Sequence, residues 1–390
     1  FFFIARSVQP VLLPILCIIM NDVLKTRTVR IGGKGRTRSI SIGGDSRVSI
    51  QTMWKSSLIG ADLDAISRNL AELEQLGCDI VRFAVPDMES ADQLVSLSAR
   101  STMPLVADIH FDYKLALRCL EGNVAKIRIN PGNIGSIEKV RAVVERAKDS
   151  NAAIRIGVNS GSLPKDLLEK VEAARSSPDA ALVRASALAE AAAREAEVFE
   201  KLAFDTVVVS MKASSVRETI LCNEEFARKF DIPLHLGVTE AGPLIGGVVK
   251  STLAFSHLLG RGIGNTVRVS LSDSAENEVI AAREILSECG KRSGGVRIVS
   301  CPRCGRNGFD VHGFVSRWQK ELMGLDKDIT VAVMGCVVNG PGEGRHADVG
   351  ITGAGDSVLI FRHGEIVRTI SVKDDAESAD RAFREELQKL

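Results

Sequence analysis

Eight short apolar, largely β-branched runs recur between residues 48 and 271, each separated from the next by a longer stretch of helical composition. They are Val48–Met53, Asp79–Val85, Pro104–His110, Val124–Asn130, Ala153–Asn159, Thr206–Lys212, Pro233–Thr239 and Thr266–Leu271. Strands that alternate with helices belong in a parallel sheet, and eight such units close most naturally into a barrel. Asp62 to Leu76 and the Ala- and Glu-rich Pro178 to Leu202 carry the helical period between strands. An open doubly wound sheet is the other architecture this alternation permits, but no Gly-x-Gly-x-x-Gly follows the first strand to support it. The expected fold class is therefore α/β: a (β/α)8 TIM barrel followed by a small α+β domain.

The barrel is expected over residues 28–289. It opens with a hairpin of Thr28–Ile31 and Arg38–Ile42 around Gly32-Gly33-Lys34-Gly35. Gly290-Lys291-Arg292-Ser293-Gly294-Gly295 reads as a linker into a second domain over 296–390. That domain is expected to hold strands Val296–Ser300 and Ile329–Met334, a helix from Asp310 to Met323, a hairpin of Val358–Arg362 and Ile366–Ile370, and a charged helix from Asp375. Residues 1–20 are strongly apolar but contain Arg6, Gln9, Pro10 and Pro14, which leaves too short an uninterrupted run for the ~20 residues of a span. The reading is that Met20 is the start, that the preceding residues form a loosely ordered extension foreign to the fold, and that the chain has no stable membrane association.

Strand ends carry the chemistry. Gln51, Arg82, Asp108, His110, Arg128, Asn130, Arg155, Asn159, Lys212, His235, Glu240 and Arg268 fall within or just after these runs. All strand C-termini of a parallel barrel emerge on one face, so these groups are expected to share one mouth. Any single Arg there is most simply a solvated rim residue. Five cations opposed by only Asp108 and Glu240 point instead to a ligand with more than one phosphate, whose oxygens match the guanidinium fork.

Of the eight Cys, only Cys301 and Cys304 are close together, with Pro302-Arg303 between them, and Cys336 stands beside an Asn339-Gly340-Pro341-Gly342 turn. Three soft ligands on two loops suggest a metal site. Thioredoxin-like context is missing for a redox dithiol, and a zinc ribbon would supply a second CxxC or a His pair. The fourth ligand could be Glu343, His346 or His312. A Cys3His zinc site stays open, whereas an iron–sulfur cluster with three thiolates and one oxygen ligand accounts better for the Pro- and Gly-rich loops. Cys78, Cys119, Cys222 and Cys289 are expected to be buried small hydrophobes.

Net charge and aromatic content exclude one class of partner. Fifty Lys and Arg against 49 Asp and Glu give no global field for nucleic acid, and 4% aromatics cannot build base-stacking platforms. The dispersed cysteines suit a reducing, cytoplasmic compartment.

Six segments together resemble the 4-hydroxy-3-methylbut-2-enyl diphosphate synthases. They are Ala107-Asp108-Ile109-His110-Phe111-Asp112-Tyr113, Arg128-Ile129-Asn130-Pro131-Gly132-Asn133-Ile134-Gly135, Arg155-Ile156-Gly157-Val158-Asn159, His235 to Gly242 (HLGVTEAG), Ser300 to Arg306 (SCPRCGR) and Met334 to Glu343 (MGCVVNGPGE). The resemblance runs from about Thr28 to Gly364 and corresponds to the bacterial two-domain form. It implies a 4Fe-4S cluster held by Cys301, Cys304, Cys336 and Glu343, in a homodimer where one chain's cluster domain covers the other's barrel mouth. Flavodoxin or ferredoxin would deliver electrons, and the substrate would be 2-C-methyl-D-erythritol 2,4-cyclodiphosphate.

On that reading Arg82, Arg128, Arg155, Lys212 and Arg268 hold the diphosphate, and Asp108, Asn130 and Asn159 orient hydroxyls. Glu240, with His235 nearby, donates a proton from a covered site that raises its pKa. Glu343 leaves the iron to admit a substrate oxygen. Two departures stand out. Trp54-Lys55-Ser56-Ser57-Leu58 replaces a Thr/Asn-rich stretch, and Asn265 replaces an Asp on the opposite, stability face. A zinc-stabilised barrel lyase and a non-enzymatic iron–sulfur sensor are the rival classes.

Overall fold

A computed structural model describes residues 25–302, 304–305, 308–338, 340–371 and 377–390, without the Glu343 side chain. The apolar N-terminal run, residues 1–20, thus lies outside the described residues. The chain divides into a barrel unit that reaches Lys291 and a second unit that comprises Arg292–Leu390 together with Arg68–Cys78.

The barrel unit opens with the expected hairpin, β1 (Val29–Ile31) paired antiparallel to β2 (Ile40–Ile42). The barrel strands follow as β3 (Ser49–Met53), β4 (Ile80–Ala84), β5 (Leu105–Asp108), β6 (Lys126–Ile129), β7 (Ala153–Asn159), β8 (Val207–Lys212), β9 (His235–Leu236) and β10 (Thr266–Val267). Their order is β8-β7-β6-β5-β4-β3-β10-β9, with parallel ladders, and a bridge between Val209 and Leu234 brings β8 back to the start of β9. Helices cover the outside, including Leu63–Gln75 and Ala180–Lys201. Side-chain caps fix several helix starts: Asp87 accepts from the Ser90 N–H, Asp112 from Lys114 and Ser274 from Asn277.

One end of the barrel is plugged. Val29, Ile31 and Ile42 of the hairpin pack on Ile80, Val106, Ala125, Ala153 and Val208, all at or near the N-terminal ends of their strands. This apolar floor seals the bottom and leaves the C-terminal face as the way in. Asn265 lies at the sealed end, where its Oδ1 accepts from Leu234 N at 3.0 Å, a bond that an amide makes as well as a carboxylate.

Beyond the linker, β11 (Val296–Ser300), β12 (Ile329–Met334), β13 (Val349–Ala354), β14 (Ser357–Arg362) and β15 (Glu365–Ser371) form one mixed sheet in sequential order. The first three strands are parallel and the last two pair antiparallel. Sequence reading missed β13, because Val349-Gly350-Ile351-Thr352-Gly353 carries two glycines where a strand normally packs side chains. Both glycines answer close approaches. A Cβ on Gly350 would meet the Phe361 ring at 2.2 Å, and one on Gly353 would meet the Gly308 carbonyl oxygen at 2.3 Å. Helices Val311–Met323 and Ser378–Gln388 cover the sheet through Phe314, Trp318 and Phe383, whose rings lie 5.0–5.5 Å apart. Among the described residues, no helix is long and apolar enough to cross a membrane.

Candidate active site

Barrel interiors are ordinarily filled by branched aliphatic side chains. Above its apolar floor, this one is cationic. Arg82, Lys126, Arg128, Arg155 and Lys212 are all buried, and Arg268 is nearly so. Two carboxylates answer them. Asp108 on β5 takes Arg128 Nη1 at 3.0 Å and faces Arg82 Nε at 3.3 Å. Burial disfavours its ionisation, but Arg82, Arg128 and Arg155 outweigh that and hold its pKa below the usual carboxylate range.

The second carboxylate is Glu278, on the helix Ala275–Glu288, which sequence reading did not single out. Its fully buried oxygens accept from Arg268 Nε and Nη2 at 3.2 and 3.1 Å, Thr52 Oγ1 at 2.7 Å, Leu271 N at 3.0 Å and Lys55 Nζ at 3.0 Å. Lys55 also donates to the carbonyls of Leu271 and Asp273, so the atypical first loop is pinned beside Arg268 by its own lysine. Nothing in the sequence marked Glu278, since it sits on a helix after the last strand and only the tertiary fold brings it to the mouth. Glu278→Gln keeps the shape but removes the charge that aims Arg268. We expect KM for a phosphorylated substrate to rise about tenfold with kcat little changed, a split read by steady-state kinetics and partly rescued by Glu278→Asp.

Burial and mutual repulsion act together on the other cations. Burial leads in lowering the pKa of Arg82 to about 10, with Arg268 and Arg128 adding to it against Asp108 and Glu278. Lys126, Arg155 and Lys212 are pushed well below their ordinary values by burial first and by the surrounding cations second. His235, wholly enclosed, is pushed down in the same way and stays neutral near pH 7. Two glycines make room for this crowding. A Cβ at Gly157 would meet Arg128 Nε at 2.4 Å, and one at Gly237 would meet Lys212 Nζ at 2.8 Å. The glycines of Arg-Ile-Gly-Val-Asn and His-Leu-Gly-Val-Thr thus create the space that the cations fill.

The other expected site residues take different places. Asn130 is buried, and its Oδ1 caps the short helix Pro131–Ile134 by accepting from Gly132 N at 3.2 Å. Asn159 closes a reciprocal cap with Ser162 at the end of β7. Glu240 is exposed rather than enclosed, in a turn, with a left-handed backbone of φ 50°. A non-glycine residue in that region is strained, and such strain concentrates where a side chain has a functional direction to keep. His110 is exposed, with both ring nitrogens within 3.4 Å of Arg128 Nη1.

In the C-terminal unit, Cys301 follows β11 and Cys336 follows β12, two adjacent parallel strands that place both residues at the same end of the sheet. Gly335 N donates to Cys301 Sγ at 3.0 Å, and Gly308 N donates to Gly335 O at 2.7 Å, which ties the two loops together. Cys336 is buried, Cys301 partly exposed and Cys304 exposed. Glu343 lies in the short helix Glu343–His346, and its side chain is outside the described residues. Among the described residues, no three His, Cys, Asp or Glu converge as a single ion requires. His312 and His346 are both exposed, and Arg345 Nε donates to the His346 Nε2.

Cluster thiolates bind different irons and need not converge on one point. Three soft donors around two tied loops, one already accepting a backbone N–H, fit an iron–sulfur group better than tetrahedral zinc. Cys78, Cys119 and Cys222 are buried as expected, and burial drives the Cys119 and Cys222 thiols up to about 12. Cys289, at a helix end, is partly exposed.

Residues 26–283 match the model of the GcpE TIM-barrel domain, and residues 297–387 that of the GcpE protein C-terminal domain. The chain is 62% identical over 387 residues to the 4-hydroxy-3-methylbut-2-en-1-yl diphosphate synthase (flavodoxin) of Treponema denticola, covering 95% of this chain and all of that protein. It is 64% identical to the Treponema pallidum protein of that name over 94% and 92% of the two chains. The Geobacillus thermodenitrificans protein of that name is 45% identical over 95% and 94%.

Proposed function

The chain belongs to the GcpE family, and from that premise we propose that it opens 2-C-methyl-D-erythritol 2,4-cyclodiphosphate reductively to 4-hydroxy-3-methylbut-2-enyl diphosphate, with flavodoxin as electron donor. The observation that carries the reading is the barrel chamber, where six cations face two carboxylates. Such a chamber is complete only around a multiply charged anion.

The reaction breaks the ring carbon–oxygen bond to phosphate and removes a hydroxyl as water. It takes up two electrons and one net proton, and the extra negative charge stays on the freed phosphate oxygen. Arg82, Arg128, Arg155, Lys212 and Arg268 stabilise that oxygen more strongly once it is free than in the ring. Asp108 presets Arg82 and Arg128, and Glu278 presets Arg268, so those three reorganise little during the step. Asn130 and Asn159 spend their described bonds on local caps and retain amide N–H groups for substrate hydroxyls. Glu240 is the proton donor to the departing hydroxyl.

The residues assigned to the cofactor are Cys301, Cys304, Cys336 and Glu343, around a 4Fe-4S cluster that supplies single electrons and a Lewis-acidic iron. Homodimerisation completes the site by covering Glu240. The helix Leu244–Gly260 supports a partner chain, since Ile245, Val249 and Leu253 expose an apolar stripe four residues apart. A cytoplasmic location accords with a flavodoxin donor.

The test is anaerobic turnover of the cyclic diphosphate with reduced flavodoxin. Glu240→Gln should lower kcat about 10²–10⁴-fold and leave KM nearly unchanged. Absence of turnover by the iron-loaded native chain would sink the assignment, and an unchanged kcat in the variant would remove Glu240 from it.

A further inference from the structure

The cations of the chamber are not equally neutralised. Arg82 and Arg128 share Asp108, and Arg268 is held by Glu278. Among the described residues, Lys126 Nζ, Arg155 Nε and Nη1, His235 Nε2 and both side-chain polar atoms of Gln51 have no hydrogen-bonding partner. Each of these residues is at most 1% exposed. A buried polar atom without a partner is costly, and four residues with such atoms inside one barrel point to a ligand that pairs them.

Their depth is set by the strands. Lys126 precedes Arg128 by two residues on β6, or about 6.6 Å toward the sealed end, and His235 stands level with Thr266, two residues below Arg268. The groups facing this tier are cationic on nearly every side. Arg155 of β7 and Arg82 of β4 face Lys126, and Lys212 of β8, Arg155, Lys126 and Arg82 face His235. His235 Nδ1 lies 3.4 Å from Thr266 Oγ1 on β10. The carboxylates belong to the tier above, where Asp108 and Glu278 are committed to their arginines.

We propose that Gln51, Lys126, Arg155 and His235 form an inner phosphoryl subsite at the base of the chamber, and that Lys126 and His235 take up protons as the anion enters. This rests on the functional reading above and adds Lys126 and Gln51 to the binding surface. An unneutralised tier beneath a neutralised one draws the phosphoryl end in first and leaves the hydrocarbon and hydroxyl end at the mouth, beside Glu240. Proton uptake follows from charge balance. The empty tier favours neutral Lys126 and His235, whereas an anion in contact with them favours their charged forms. The cyclic diphosphate has one acidic proton on each phosphorus, both lost far below neutral pH, so protons taken up near neutrality come to the protein.

The experiment is calorimetric titration of the oxidised, cluster-loaded enzyme with the cyclic diphosphate, without an electron donor, in buffers of different ionisation enthalpy. Net proton absorption should accompany binding at one or more pH values between about 6 and 9. Because the protonated form binds, Kd should rise about tenfold per pH unit for each proton absorbed. Lys126→Met should raise Kd at least tenfold and lower the uptake, and His235→Gln should lower the uptake that persists near pH 7. Binding without proton uptake by the native enzyme would overturn the inference and leave the functional reading intact. Full uptake and unaltered Kd in Lys126→Met would do the same. Should that variant not fold, the native titration alone decides. Failure of the native enzyme both to bind and to turn over the cyclic diphosphate would instead remove the functional reading beneath it.

Discussion

Arg155→Met is expected to move stability and activity in opposite directions. Arg155 is fully buried on β7, in register with Arg128 on β6 and Val208 on β8, and among the described residues no carboxylate makes a hydrogen bond to it. In the empty protein its charge is a net cost, set by burial first and by Arg82 and Arg128 second. Methionine fills a similar volume without that charge, so the empty protein should gain about 1–3 kcal/mol, measured by chemical denaturation. With substrate present the sign reverses. The guanidinium then meets phosphoryl oxygens in a dry site, and losing it should cost about 10²–10³ in kcat/KM. A structural role alone predicts a loss of stability with binding preserved, so the two measurements separate the alternatives. The trade between stability and binding is the expected signature of a ligand site built from like charges.

The same chamber shows what the sequence made legible and what it hid. All eight barrel strands, the opening hairpin and the convergence of Arg82, Asp108, Arg128, Arg155 and Lys212 were readable, because parallel strands of period-regular βα units must end on one face. Glu278 was not, since its link to Arg268 crosses from the last helix back to β10 and involves Lys55 from the first loop. No spacing rule encodes that triangle. Lys126 was hidden for another reason: it begins its strand, where a lysine normally reaches solvent, but in this barrel, whose floor Ile31 and Ile42 close, it is fully buried. Glu240 illustrates the converse. Its place at a strand end was legible, but its exposure in the single chain and its left-handed backbone depend on the turn that follows. In the C-terminal unit, β13 escaped notice because its glycines serve backbone and ring contacts rather than side-chain packing.

Cys336→Ser should abolish turnover altogether while leaving both units folded. Cys336 is buried just after β12, its carbonyl accepts from Gly340 N at 2.9 Å, and the neighbouring Gly335 N–H already points to Cys301 Sγ. The loop geometry is therefore held by backbone bonds that serine preserves. A hydroxyl oxygen is a poor ligand for the soft iron of a sulfide cluster, so iron and acid-labile sulfide should fall to less than about a tenth of the native content. The fold should survive, because Phe314, Trp318, Val331, Ile351 and Phe383 make a core that does not include the thiol. Near-native tryptophan fluorescence and circular dichroism, with no brown absorbance and no activity, is the expected combination. Full iron content in Cys336→Ser would remove this residue from the ligand set. Loss of iron accompanied by collapse of the fluorescence signal would instead assign Cys336 to packing.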